Sequence, residues 1–107
     1  MRTTTLENVT VEVTGMVPQT IALSIDEEGL VIGPYGKLSW VESKVSAEGD
    51  CLDLCIIHVE TSTGASSTFT IPESSLHGRL SPPEFARSFL RAAAHFGATV
   101  ITSPVPA

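Results

Sequence analysis

The residues best able to do chemistry are the three histidines, and their surroundings do not assemble a reactive site. His58 lies in a strand-like segment, His77 in a loop and His95 in a helical segment. None has an acid or a thiol at the spacing of a catalytic triad or a metal site, and the common nucleophile, zinc and phosphate-loop motifs are missing from the sequence. We therefore expect surface or core roles for the histidines, no enzymatic activity, no metal and no cofactor.

The two cysteines are separated by three residues, as Cys51-Leu52-Asp53-Leu54-Cys55. The apolar residues around them are typical of a β-strand, in which four residues span ~13 Å. A disulfide tolerates a Cα separation of only about 7 Å. The pair is therefore predicted to be reduced and structural, with His58 pointing away from both thiols.

Acidic residues form the most evident candidate binding surface. Residues 1–78 contain eleven acids and three basic residues, whereas residues 79–107 contain three arginines and one acid. This distribution disfavours nucleic acids and anionic membranes, which require clustered cations. It is compatible with a basic protein partner or with a charge that only maintains solubility. The residues predicted to contact a partner are Asp26, Glu27, Glu28, Glu48, Asp50 and Asp53. The first three are followed by Gly29, which favours a hairpin tip over a calcium site.

Most of the elements that would position these residues are strands. Alternating valines at 9, 11 and 13, and alternating apolar residues at 21, 23 and 25, predict two half-buried strands. Short strands at 30–32 and 37–41 continue an antiparallel meander, while residues 46–50 are expected to form a solvated connector. A hairpin then joins a strand at about 51–61 to one at 67–71, which Pro72 ends.

A single helix follows the strands, and its ends are clearly marked. Ser81 and Glu84 form a capping-box pattern, Pro82 suits the first helical position, and Gly97 suits the left-handed C-terminal position. The apolar stripe of the predicted helix over 82–96 consists of Phe85, Phe89, Ala92, Ala93 and Phe96. We expect Trp40 and Phe69 to be its aromatic contacts in the core. Beside the stripe, Arg87, Arg91 and His95 form a cationic flank, either simply solvated or docking an acidic partner.

Four short segments of the chain form a recognisable order: Gly29-Leu30-Val31-Ile32, Gly36-Lys37-Leu38-Ser39-Trp40, Phe69-Thr70-Ile71-Pro72 and Ser81-Pro82-Pro83-Glu84-Phe85. Together they resemble the small bacterial pleckstrin-homology-like domains of the YcxB type. The resemblance covers residues 19–97. The chain departs from the family pattern in lacking the preceding transmembrane hairpin and in having Ser43 where an aliphatic residue is usual. The resemblance implies a bent antiparallel sheet or partly open barrel capped by a helix, and a binding role without catalytic residues.

The fold class predicted from these observations is α+β, with about seven antiparallel strands and one C-terminal helix. Residues 1–101 are expected to form one domain and residues 102–107 a flexible tail. No apolar segment is long enough to span a bilayer, and no secretory signal follows Met1, so a cytoplasmic location is expected.

Three hypotheses about function remain open from the sequence. The first is a non-catalytic protein-binding module that uses its acidic surface. The second is an immunity or inhibitor protein that neutralises a basic toxin or a nucleic-acid-handling enzyme. The third is a binder of a small ligand or lipid at the mouth of the barrel. An exposed edge strand also offers a route to a homodimer.

Overall fold

A computed structural model describes residues 4–13, 15–33, 36–48, 53–76, 78 and 80–101. Its strands are β1 (Thr4–Val13), β2 (Gln19–Ile25), β3 (Gly29–Ile32), β4 (Lys37–Ser39), β5 (Ser43–Glu48), β6 (Leu54–Thr61), β7 (Ser66–Pro72) and β8 (Thr99–Val100). The helix α1 spans Pro82–His95, and 3₁₀-helical turns form at Trp40–Glu42 and Glu73–Leu76. This arrangement confirms the predicted α+β class.

The described strands form one curled sheet in the order β4-β3-β2-β1-β7-β6-β5-β8, a half-barrel. Neighbouring strands are antiparallel except for β8, which runs parallel to β5. The pairing of β1 with β7, with Val11 opposite Phe69, joins the first meander to the later strands. Since this pairing links residues distant in sequence, the half-barrel forms only when both parts of the chain are in place.

The core lies on the concave face of the sheet. Period-two alternation directs Leu23, Val45, Ile57 and Phe69 inward, and each of these side chains is at most 1% exposed. The core of the described residues is mainly aliphatic, with Trp40, Phe69, Phe85 and Phe89 as its buried rings. Phe69 is buried as expected, but none of the aromatic ring pairs among the described residues includes it.

The helix covers the concave face with its apolar side. Phe85, Ala86, Phe89 and Ala93 are buried against the sheet, and α1 contacts mainly β5 and β6. The Trp40 ring lies 5.6 Å from that of Phe89, which confirms the predicted contact of Trp40 with the helix.

The segment from residue 37 to residue 48 differs from the prediction. Trp40 and Val41 were expected to continue a strand, but the Trp40 amide donates to the carbonyl of Glu28, and the chain turns there as a 3₁₀ helix. Residues 46–48, expected to lie in a connector, belong instead to β5. The inward positions of β5 are Ser43, Val45 and Ala47, and two of these are too small or polar to produce a clear apolar alternation.

The chain continues past α1 into an eighth strand that the sequence did not predict. Gly97 adopts a φ of +105°, the left-handed conformation expected after a helix. The amide of Ile101 then donates to the carbonyl of Val45, which fixes β8 on β5. The proposed flexible tail, residues 102–107, lies outside the described residues.

Candidate functional site

The acidic turn between β2 and β3 is held by contacts within the protein. The Asp26 carboxylate accepts hydrogen bonds from the amides of Glu28 and Gly29, at 2.8 and 3.0 Å. Lys37 donates to Glu28 and lies 3.9 Å from Asp26. The hydrogen bond to Glu28 is the main reason that the pKa of Lys37 is raised. Two of the three carboxylates in this turn are thus already paired with a cation.

A second acidic group, which we call the acidic end, consists of Glu7, Glu48, Asp53 and Glu73. The Glu73 amide donates to the carbonyl of Asp53 at 2.8 Å, and the Ser75 hydroxyl donates to the carbonyl of Glu7. Glu48 ends β5 opposite Ile56, close to the start of β6. All four side chains are exposed, and none forms an ion pair with a cation in the described part of the chain.

The predicted acidic surface is therefore divided between two places. Asp26, Glu27 and Glu28 lie beside Trp40, just before β5 begins. Glu48 and Asp53 lie by the far end of that strand, and five residues of strand span ~17 Å. Asp50 lies outside the described residues. Because β5 separates the two places, a single small contact would not engage both Glu27 and Glu48.

Two members of the acidic end, Glu7 and Glu73, were not among the predicted site residues. Glu73 begins a 3₁₀ turn packed against β1 and β7. Glu7 lies at a bulge in β1, where the register shifts between Leu6 and Val9. Charge is the only sequence feature that marks Glu7 and Glu73. The contact that brings them together joins the 3₁₀ turn to β1, and these segments are distant in the sequence.

The cap of α1 is formed as the sequence predicted. The Ser81 hydroxyl accepts from the Glu84 amide, and the Glu84 carboxylate accepts from the amide and hydroxyl of Ser81. The hydrogen bond from the Ser81 side chain is the largest cause of the lowered pKa of Glu84. Glu84, the single acid of α1, is therefore engaged in the N-terminal cap.

The outer face of α1 carries a shallow groove of about 340 Å³, which we call the helix groove. Its lining residues are Ser88, Arg91, Ala92, His95 and Phe96. The Phe96 ring stacks on Trp40 at 6.4 Å and meets the His95 ring edge-on at 5.1 Å. Among the described residues, no carboxylate lies within ion-pair distance of Arg91. The groove thus combines an exposed guanidinium with an aromatic surface.

His58 lies on the convex face of the sheet, opposite to the buried Cys55 on the same strand. Its Nδ1 is 3.0 Å from the Thr68 hydroxyl, and its Nε2 is 3.1 Å from the Ser66 hydroxyl. Both ring nitrogens therefore have a hydrogen-bond partner on β7, the neighbouring strand. His77 lies outside the described residues.

Cys55 is poorly placed for thiol chemistry. Cys55 is free and fully buried, and burial raises its pKa to about 11. Cys51 lies outside the described residues. Within the ranges that the structure describes, no three histidine, cysteine or carboxylate side chains are grouped so that they could hold a metal ion.

The fold and its surfaces define a class: a small helix-capped half-barrel with charged outer surfaces. No protein-family model, curated protein or solved structure matches the chain. The resemblance to pleckstrin-homology-like domains therefore stays a prediction. No helix in the described ranges has the length and apolar character required to cross a bilayer.

Proposed function

We propose that this domain is a non-catalytic protein-binding module whose acidic end docks a basic partner. The observation that carries the proposal is the contrast between its two acidic groups. Asp26 and Glu28 are neutralised by Lys37, whereas the carboxylates of Glu48, Asp53 and Glu73 are exposed without a cation among the described residues. Exposed, unpaired charges of one sign steer an oppositely charged partner and increase its association rate.

The packing of the core supports a partner on the surface over a ligand inside the half-barrel. Leu23, Trp40, Val45 and Phe69 fill the concave face and are each at most 1% exposed. A small ligand seated among them would have to displace close-packed side chains, which is costly. The implied binding role of pleckstrin-homology-like domains agrees with a surface interaction but does not identify the partner.

The test compares two variants with the same change in charge. In the first, the acidic end is neutralised by Glu7→Gln, Glu48→Gln, Asp53→Asn and Glu73→Gln. In the control, four exposed carboxylates elsewhere are neutralised by Glu12→Gln, Glu27→Gln, Glu42→Gln and Glu60→Gln. Each protein is immobilised and exposed to native lysate at low salt and at roughly 0.5 M salt, where the Debye length is below ~5 Å.

We expect a basic protein to be captured by the wild type and by the control at low salt, and to be lost with the acidic-end variant or at high salt. Equal capture by the two variants would contradict the proposal. An equal loss would show that only net charge matters, and no loss in either variant would show that the acidic end is not used. Measuring the activity of the captured protein with and without the domain then separates simple docking from inhibition.

A further inference from the structure

We propose that the helix groove is a second docking surface, which accepts an acidic protein segment carrying an apolar side chain. The proposal is independent of the acidic end, since it concerns a different partner charge and different residues. It starts from the spacing of Ser88, Arg91, Ala92 and His95, which places all four on one side of α1. The Ser88 hydroxyl, the Arg91 guanidinium and the apolar side chain of Ala92 therefore lie next to one another along one side of the helix.

The charge of Arg91 is available to a partner. Arg87, one turn earlier, interacts with Glu84, but no carboxylate in the described ranges pairs with Arg91. Cations in the last helical turn offset the helix dipole, and that effect falls off beyond the turn. Arg91 precedes the last turn of α1, which ends at His95. Offsetting the helix dipole therefore does not account for an arginine at this position. Guanidinium groups bind carboxylates through two parallel hydrogen bonds.

The C-terminal end of the groove supplies an apolar contact. Val41 is 72% exposed, and it lies so close to Gly97 that a Cβ built there would be 3.0 Å from the valine Cγ1. Phe96 is half-buried beside it, held by its stacking on Trp40. Phe96 therefore gives the groove an apolar wall beside Arg91, and Val41 adds exposed apolar surface at Gly97, the residue that follows Phe96. Aromatic residues and arginine are enriched in protein–protein interfaces.

The overall charge of the chain determines which occupant fits this groove. Its net charge of −6 repels polyanions such as nucleic acids, and the helix groove offers too few cations to overcome that repulsion. A short acidic segment needs only one or two charge contacts and can also bury an apolar side chain against Phe96 and Val41. We therefore assign the groove to a peptide segment of a protein partner, with carboxylates at Arg91 and Ser88.

The test titrates the ¹⁵N-labelled domain with a defined probe, an eight-residue peptide in which Leu-Trp is flanked by one Asp and one Glu, with Gly and Ser at the other four positions. We expect the largest amide shift changes between residues 88 and 97. Two control peptides, one with the acids replaced by Asn and Gln and one with Leu-Trp replaced by Gly-Ser, should each bind at least about tenfold more weakly. A tenfold change corresponds to roughly 1.4 kcal/mol, about the strength of one charge-assisted contact.

Matched variants locate the binding. Arg91→Gln should weaken the acidic peptide about tenfold, whereas Lys44→Gln, which removes an exposed cation from β5, should leave binding almost unchanged. Val41→Thr keeps the shape of the side chain and should weaken the Leu-Trp peptide but not its Gly-Ser control. Shifts centred elsewhere, or equal losses for Arg91→Gln and Lys44→Gln, would overturn the proposal. Amide shifts in the groove that change with protein concentration in the absence of peptide would also overturn the proposal, because they would show that a second copy of the domain occupies the groove.

Discussion

Trp40 and Phe89 join the sheet to the helix, with ring centroids 5.6 Å apart and ring planes inclined by 58°. Phe89 is 3% exposed and Trp40 is 1% exposed. The indole Nε1–H of Trp40 also donates to the carbonyl of Asp26 at 2.8 Å, so the ring has one fixed orientation. The position of the helix on the half-barrel consequently depends on this pair.

Replacing Phe89 by Ala should therefore reduce the free energy of unfolding by ~3–5 kcal/mol, through lost burial and the cavity left beside Trp40. Urea unfolding monitored by Trp40 fluorescence measures the change. Ser88→Ala is the control, because Ser88 is the exposed neighbour on the same helix and should change stability by less than about 0.5 kcal/mol. A loss near zero for Phe89→Ala would contradict this packing.

Gly29 should be the least replaceable of the turn glycines. It begins β3 with a φ of +155°, and a Cβ at this position would lie 1.8 Å from the backbone oxygen of Leu38 on β4. Gly29→Ala therefore forces β3 and β4 apart. Gly15 also has a positive φ, +83°, but has open space around its Cβ position.

The two glycine variants separate strain from steric overlap. Gly15→Ala should cost only the ~1 kcal/mol of an unfavourable φ. Gly29→Ala should cost at least about 2 kcal/mol more, because backbone atoms cannot move aside as a flexible side chain can. Similar unfolding midpoints for the two variants would show that the β3–β4 pairing adjusts easily.

The elements that the sequence predicted correctly are those with local signals. The capping box at Ser81 and Glu84, the left-handed Gly97 and the alternation in β1 and β2 each depend on residues close together in the chain. The pairing of β8 with β5 depends on contacts distant in sequence, and Thr99-Val100 is too short to show a pattern. The acidic end was only partly predictable for the same reason, since Glu7 joins it through Ser75.

The Glu84 cap should make stability depend on pH in a definite direction. The folded-state pKa of Glu84 is lowered, so the carboxylate favours the folded state at neutral pH. This contribution is present above the unfolded pKa and is lost as the pH falls through the folded pKa. The stability difference between the wild type and Glu84→Gln should therefore shrink between pH 6 and pH 3, values that bracket the ordinary ~4.3 of glutamate.

Urea unfolding of both proteins over this pH range measures that difference. Glu60→Gln provides the comparison, since Glu60 is an exposed carboxylate on β6. Its effect on stability should be small at each pH. A Glu84→Gln difference that stays constant down to pH 3 would mean that the cap does not favour the ionised side chain.

Cys55 should be protected from alkylation until the domain opens. Its side chain is fully buried, and its pKa is raised to about 11 by desolvation, so at pH 8 about one thiol in a thousand is ionised. In a Cys51→Ser variant, iodoacetamide should modify Cys55 slowly in buffer and rapidly in concentrated urea, as followed by intact mass. Adding Phe89→Ala should speed the reaction in buffer, because burial and opening both depend on the helix remaining docked. If the folded Cys51→Ser protein were alkylated as fast as the protein in urea, Cys55 would be accessible to solvent. That result would contradict the burial of this side of β6 in the core.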